Sequence, residues 1–273
     1  MTTTSAAASS EPETFGDLLR EWRRRRRLSQ LELSLSAGVS ARHLSFLETG
    51  RARPSREMAL ALAERLDVPL RERNLLLAAA GFAPAYPRRP LEAPEMGAVR
   101  EAIDLVLRNH DPYPAIAVDR YWNILAMNAG AAVFAQDLSP ELLGPPANVY
   151  RITFHPKGWA TRVVNYADLA TDMIGRLRHD VAVSGDPELA ALLEEVQAYG
   201  TLPPAPPQPP PSSVVLPVRF RTPAGELSLF TVIATFGTPV DVTVSELAIE
   251  TFFPADEATA ERLRALAAGG GGA

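Results

Sequence analysis

The spacing of helix caps between residues 29 and 55 constrains this chain more than any other feature of its sequence. Ser29-Gln30-Leu31-Glu32 fits a capping box, in which a serine side chain and a glutamate three residues later accept from each other's backbone N–H groups. Gly38 then supplies the left-handed turn that needs no Cβ. Ser40 is placed to cap a helix that runs to Glu48 and ends at Thr49-Gly50, and Ser55, after Pro54, opens another. Upstream, Phe15, Leu18, Leu19 and Trp22 recur at helical spacing and predict a first helix over Thr14–Arg27. Downstream, Ala59, Leu62, Ala63 and Leu66 form the stripe of the fourth helix. A fifth starts near Leu70 and carries Leu75, Leu76 and Ala79. Short helices this closely spaced predict a small all-α domain.

Two helices of about eight residues joined by the tight turn Ala37-Gly38-Val39-Ser40 make a helix-turn-helix. Its second helix has a polar N-terminal half that fits the major groove of DNA, about 12 Å wide. Charge agrees. The chain has a net charge of −5, but residues 1–90 hold 15 arginines against 10 acidic residues, a net of +5. Residues 91–273 hold 12 basic and 22 acidic residues, a net of −10. A basic head on an acidic body predicts that the head meets a polyanion and the body does not.

The run Leu28–Leu33, Ala37–Ser40 and His43–Ser55 resembles the lambda-repressor-like, XRE-type helix-turn-helix over about 65 residues. The resemblance implies double-stranded operator DNA as partner and contact roles for Gln30, Ser40, Ala41, Arg42, His43, Ser45, Phe46, Arg51 and Arg53. Gln30 would donate to a backbone phosphate at a helix N-terminus. Arg42 would pair with guanine, Ala41 or Phe46 would touch a thymine methyl, and Arg51 and Arg53 would grip phosphates. His43 either contacts a base or caps and packs. Leu44, Leu47 and Glu48 read as structural, with Glu48 tying the helix end to a neighbouring arginine. The run Arg23–Arg27 is either a solvated face or a partial phosphate contact, since five consecutive residues circle a helix.

With 273 residues, 47% of them hydrophobic and 22% charged, two globular domains are expected. Their bounds read as a disordered tail over 1–12, the helix-turn-helix domain over 13–82, a proline-punctuated linker over 83–96, a second domain over 97–260 and a tail over 261–273. In the second domain, Met96–His110, Asn128–Phe134, Tyr166–Val183 and Asp186–Tyr199 read as helices. Ala115–Asp119, Trp122–Met127, Ser213–Arg221, Leu227–Phe236 and Glu246–Phe253 read as strands. Pro203–Pro211, with seven prolines in nine residues, reads as an exposed polyproline-like loop. Two strands, several helices and three antiparallel strands are the layout of PAS-like sensor domains. The fold class is therefore multidomain: an all-α helix-turn-helix domain plus an α+β PAS-like domain with a five-stranded antiparallel sheet.

Pro114–Asn128, Asn148–Arg151, Phe154–Gly158 and Val164–Tyr166 resemble the ligand-binding domain of MmyB-like regulators. That resemblance implies a PAS-like pocket and a small apolar ligand, either fatty-acid-like or of another apolar kind. Candidate walls are Trp122, Leu125, Met127, Phe134, Phe154, Phe230 and Phe236. Candidate ligand-binding residues are Trp122, Asn128, Arg151, His155 and Asn165. Each has a plainer reading: aromatic residues fill cores, Asn128 can cap a helix, and His155-Pro156 can shape a turn.

The chain has no cysteine and four scattered histidines, which excludes a disulfide framework, thiolate metal sites and a cysteine nucleophile. No metal or cofactor is expected. No signal peptide and no apolar run of membrane length is visible, so a cytoplasmic protein is expected. Phosphate-loop, Gly-x-Ser-x-Gly and His-Glu-x-x-His motifs are missing, so no enzyme is expected. The reading is a homodimeric one-component transcription regulator. Its rivals are a DNA-binding chain whose second domain is a ligand-free dimerisation or interaction module, and an enzyme dependent on His155.

Overall fold

The computed structural model describes residues 14–136, 138–202 and 215–269. The readings of 1–12 as a tail, of 203–211 as a loop and of 270–273 as a tail lie outside the described residues. The chain forms two compact units, one of residues 1–88 with Val240–Val242, the other of 89–239 with 243–273.

The first unit holds α1 (Phe15–Arg25), α2 (Gln30–Ala37), α3 (Ala41–Glu48), α4 (Arg56–Arg65) and α5 (Leu70–Ala79). The capping expected of each serine is present. The Ser29 side chain accepts from Glu32 N–H while Glu32 accepts from Ser29 N–H, and the hydroxyls of Ser40 and Ser55 accept from the N–H groups of His43 and Met58. Gly38 takes φ 67° and ends α2. Leu19, Trp22, Leu33, Leu44, Leu47, Leu62 and Leu76 build one core. At Gly16 a Cβ would lie 2.6 Å from the Leu47 carbonyl oxygen, so glycine permits α1 to cross the end of α3.

Two details of this unit differ from expectation. α1 ends at Arg25 rather than Arg27, because Arg27 turns left-handed at φ 56° and directs the chain into α2. On α5 the buried face is Glu72, Leu76 and Leu77, whereas Leu75 is 56% exposed and Ala79 is also exposed. Three consecutive leucines fit any helical phase, and packing against α1 and α4 selects one of them.

The second unit contains α6 (Gly97–His110), β1 (Ala115–Val118), β2 (Ile124–Met127), α7 (Ala129–Ala135), α8 (Pro140–Leu143) and α9 (Val149–Phe154). These are followed by α10 (Tyr166–Ser184), α11 (Pro187–Ala198), β3 (Val218–Thr222), β4 (Gly225–Thr235), α12 (Val242–Ser245, all but its first residue in this unit), β5 (Ala248–Pro254) and α13 (Glu257–Gly269). Single turns of 3-10 helix lie at Pro94–Met96 and Trp159–Thr161.

The sheet is antiparallel in the order β2-β1-β5-β4-β3. β1 is buried on both faces. Ala115 and Ala117 pack on Ile103 and Leu107 of α6, and Ile116 and Val118 pack on Ala131 and Val149. The α+β fold with five antiparallel strands is as expected.

Strand ends differ for local reasons. Trp122 is a turn residue at φ 64°, because Asp119 accepts from the N–H groups of Tyr121 and Asn123 and the Asp119 carbonyl accepts from Trp122 N–H. β3 begins at Val218, immediately after Pro217, which has no N–H for the ladder. Residues 261–268, expected to trail as a tail, are helical. Asp256 accepts from Thr259 N–H to start α13, and Leu263 packs into the cluster around Phe220 and Leu229. Among the described residues, no helix is long and apolar enough to cross a membrane. No three of His, Asp and Glu come together among them as a metal site.

Candidate DNA-binding surface and ligand cavity

Glu48 is the centre of the helix-turn-helix. Its side chain is 1% exposed. Arg23 donates from Nε to Oε1 at 2.6 Å and from Nη2 to Oε2 at 2.9 Å, a two-pronged pairing. Gln30 Nε2 donates to Oε2 at 2.8 Å, and Arg20 Nε lies 3.7 Å away. Burial pushes the Glu48 carboxyl up, but the hydrogen bonds from Arg23 and Gln30 and the charges of Arg23 and Arg20 outweigh it. Together they hold the group below the ordinary glutamate value. Glu48 therefore ties α3 to arginines of α1, as expected. Gln30, expected to donate to phosphate, directs one amide N–H to Glu48.

The arginine run is mostly internal structure rather than a phosphate comb. Arg23 also donates to the Leu28 carbonyl, and Arg26 donates to the carbonyls of Leu66 and Asp67 at the end of α4. Arg25 pairs with Glu21 and lies 5.0 Å from the Trp22 ring centre. Arg24 and Arg27 are exposed.

On α3 and the turn before it, Ser40, Ala41 and Arg42 are exposed, while His43, Ser45 and Phe46 are half-buried. The Arg42 guanidinium sits 5.3 Å from the Phe46 ring centre, which holds the charge along the exposed face. Arg51 and Arg53 are exposed in the following loop. There, the N–H groups of Arg51 and Ala52 both donate to the Phe46 carbonyl.

Two adjoining cavities open in the second unit. The smaller, about 50 Å³, is apolar and is lined by Ile116, Ile124, Met127, Phe134 and Ile152 among others. The larger, about 230 Å³, is lined by Trp122, Tyr150, Thr153, Asp172, Arg176 and Glu250 among others. Val149, Trp159, Phe220 and Phe252 belong to both walls. The larger exceeds the apolar cavity of about 150 Å³ that admits benzene.

Four of the five expected ligand contacts are structural. Asn128 caps α7: its Oδ1 accepts from the N–H groups of Ala115 and Ala131, and its Nδ2 donates to the carbonyls of Leu107 and Tyr113. Arg151 forms a two-pronged pair with Glu195, both bonds at 2.8 Å. His155 meets the Tyr199 ring edge-on and accepts at Nδ1 from Lys157 N–H. Asn165 fixes the start of β3 by donating to Pro217 O and accepting from Arg219 N–H. None of the four lines either cavity.

Trp122 does line the larger cavity, and its left-handed backbone is uncommon for a bulky residue. Of the other walls, Met127 and Phe134 line the smaller cavity. Leu125 is exposed, Phe154 is core, Phe230 stacks on Phe253, and Phe236 packs near α6.

The polar groups of the larger cavity are absent from the sequence-based expectation. Glu250 is the foremost of them, 8% exposed on β5. Burial drives its pKa up to about 7, opposed by the Arg176 charge and a hydrogen bond with the Thr231 side chain. One signal pointed to it. In a strand, Glu250 and Phe252 share a face, so an inward Phe252 carries Glu250 inward with it.

The model of the MmyB-like transcription regulator ligand binding domain matches residues 99–266, more than half of the chain. The chain belongs to the MmyB-like transcription regulators. In this MmyB-like regulator a helix-turn-helix family matches residues 19–73. The chain is 39% identical over 82 residues to the uncharacterized HTH-type transcriptional regulator RghRB of Bacillus subtilis (strain 168). That match takes in 30% of this chain and spans 57% of the length of the relative. A solved RNA-binding light-oxygen-voltage receptor aligns over 96% of this chain and 64% of its own, at 14% identity. Its TM-score is 0.26, which establishes no common fold. The MmyB-like regulator thus joins a helix-turn-helix to the domain that the family model describes as ligand-binding.

Proposed function

We propose that this regulator binds operator DNA as a homodimer through α3 and senses a small apolar ligand in the adjoining cavities of its second unit. The observation that carries the ligand reading is the pair of cavities, with their shared apolar wall, inside the region matched as ligand-binding. Arg42 contacts base edges, and Arg51 and Arg53 contact phosphates. Two copies of α3 then meet half-sites about 34–36 Å apart, or a multiple of that spacing. The ligand acts by its differential affinity for two arrangements of the heads.

Two measurements test this. Arg42→Ala is expected to lose about 1–3 kcal/mol of discrimination between operator and random DNA. Arg53→Ala is expected to weaken both alike and to lower the salt slope by about 1. Equal effects of the two variants on both DNAs would remove the assignment of roles. Native mass spectrometry of the full-length protein is expected to show a dimer carrying a small adduct that is lost on denaturation. A clean dimer that gains no mass from added lipid extracts would point to the ligand-free module instead.

A further inference from the structure

We propose that the larger cavity takes a small amphipathic amine, its protonated nitrogen against Glu250 and its apolar body passing the shared wall toward the smaller cavity. This rests on the ligand-binding reading above and names the chemistry of the ligand.

Three observations converge. Glu250 is a buried carboxyl lining the cavity, and its side-chain partner within the protein is Thr231. A carboxylate has capacity for about four hydrogen bonds, so it can still accept from an ammonium. Charge adds direction. The lining carries two carboxyls, Glu250 and Asp172, against one guanidinium, Arg176. Arg176 Nη2 already donates to Asp172 at 3.1 Å, and its guanidinium lies 5.7 Å from the Trp122 ring centre. An anionic head group would meet an excess of negative charge and an arginine already paired. A wholly apolar ligand would leave the Glu250 carboxyl facing hydrocarbon, which is costly. Finally, the rings of Trp122, Tyr150 and Phe252 stand around the same space, and aromatic faces attract cations.

The titratable groups that face Glu250 are Arg176 and Asp172 on α10 and Tyr150 on α9. In the sheet its register neighbours are Ile116 and Ile233, both apolar. The amine contact strengthens as Glu250 loses its proton, so affinity rises between pH 6 and pH 8.

The test uses the full-length protein and three probes of equal chain length: n-octylamine, 1-octanol and octanoate, followed by calorimetry. At pH 8 octylamine is expected to bind at least tenfold more tightly than either of the others. The advantage is expected to shrink several-fold at pH 6. Glu250→Gln is expected to abolish the advantage of octylamine over octanol. Octanoate binding most tightly, or an amine preference that survives Glu250→Gln, would overturn the proposal. Octanol binding with no amine advantage would overturn the amine and keep the apolar-ligand reading. Absence of binding by all three would overturn both.

Discussion

Glu48→Ala is expected to cost the helical head about 3–5 kcal/mol, because it strands a charge that the fold has taken out of water. Arg23 reaches Glu48 from α1 with two short hydrogen bonds, and Gln30 reaches it from α2, so one carboxylate joins three helices. With the carboxylate gone, the half-buried Arg23 keeps only its bond to the Leu28 carbonyl. Small domains hold roughly 5–15 kcal/mol in all, so the loss leaves a large unfolded fraction at physiological temperature. DNA binding should then fall for every sequence equally, unlike the selective loss from Arg42→Ala. Chemical denaturation of the single variants and of the Glu48→Ala, Arg23→Ala pair measures it. The double variant should cost far less than the sum of the singles, because the stranded charge has gone. A cost below about 1 kcal/mol, typical of a surface pair, would show that the network contributes little. The sign with pH follows from the depressed pKa of Glu48. Its contribution is complete above the unfolded glutamate value and is lost as pH falls through the folded one.

The opposite sign is expected at Glu250. Its folded pKa stands near 7 against an ordinary 4.5, so between those values the folded state holds a proton that the unfolded state has released. Stability contributed at this site is therefore complete below about pH 4.5 and falls as pH rises through 7. At 1.36 kcal/mol per unit the loss amounts to about 3 kcal/mol. Glu250→Gln keeps the shape and removes the titration. It should raise the stability of the second unit by about 3 kcal/mol at pH 8 and change it little at pH 4.5. Thermal melts at both pH values would show this. An equal gain at the two would mean that packing, not charge, separates the variants.

The head was legible because its information is local. Ser29, Gly38, Ser40 and Ser55 act on backbone within four residues of themselves, and each takes the expected role. Leu75 and Leu76 were not separable, because the choice between neighbouring leucines is made by another helix. In the second unit the five strands and α6, α7, α10 and α11 were legible, whereas the short helices α8, α9 and α12 were not, and neither was α13. There, alanine-rich sequence carries little periodic signal, and only Leu263 and Leu266 contact the core cluster.

The candidate ligand site was the least legible. Asn128, Arg151 and Asn165 are polar residues beside apolar runs, and so is any residue that caps, pairs or fixes a strand. Which of these a polar side chain does depends on partners far away in sequence, such as Glu195 for Arg151 and Pro217 for Asn165. Asp172 and Arg176 pair at four-residue spacing, the usual pattern of a solvated helix face, and their sequence gives no sign of the cavity beside them.

The pairing of β1 with β5 has a further consequence, for the order in which the chain acquires structure. Ala115–Val118 lie against Ala248–Thr251, so the two inner strands are separated by 130 residues or more. Contacts at such separation form slowly, and during synthesis they cannot form until nearly the whole chain has emerged. The hydrophobic core of the five head helices, from Phe15 to Leu77, closes over fewer than 80 residues, all of them ahead of β1 in the chain. A nascent or C-terminally truncated chain therefore presents a folded helix-turn-helix while the sheet of the second unit is incomplete. A chain that stops before Ala248 lacks β5, a central strand of the second unit's sheet, and keeps every helix of the head.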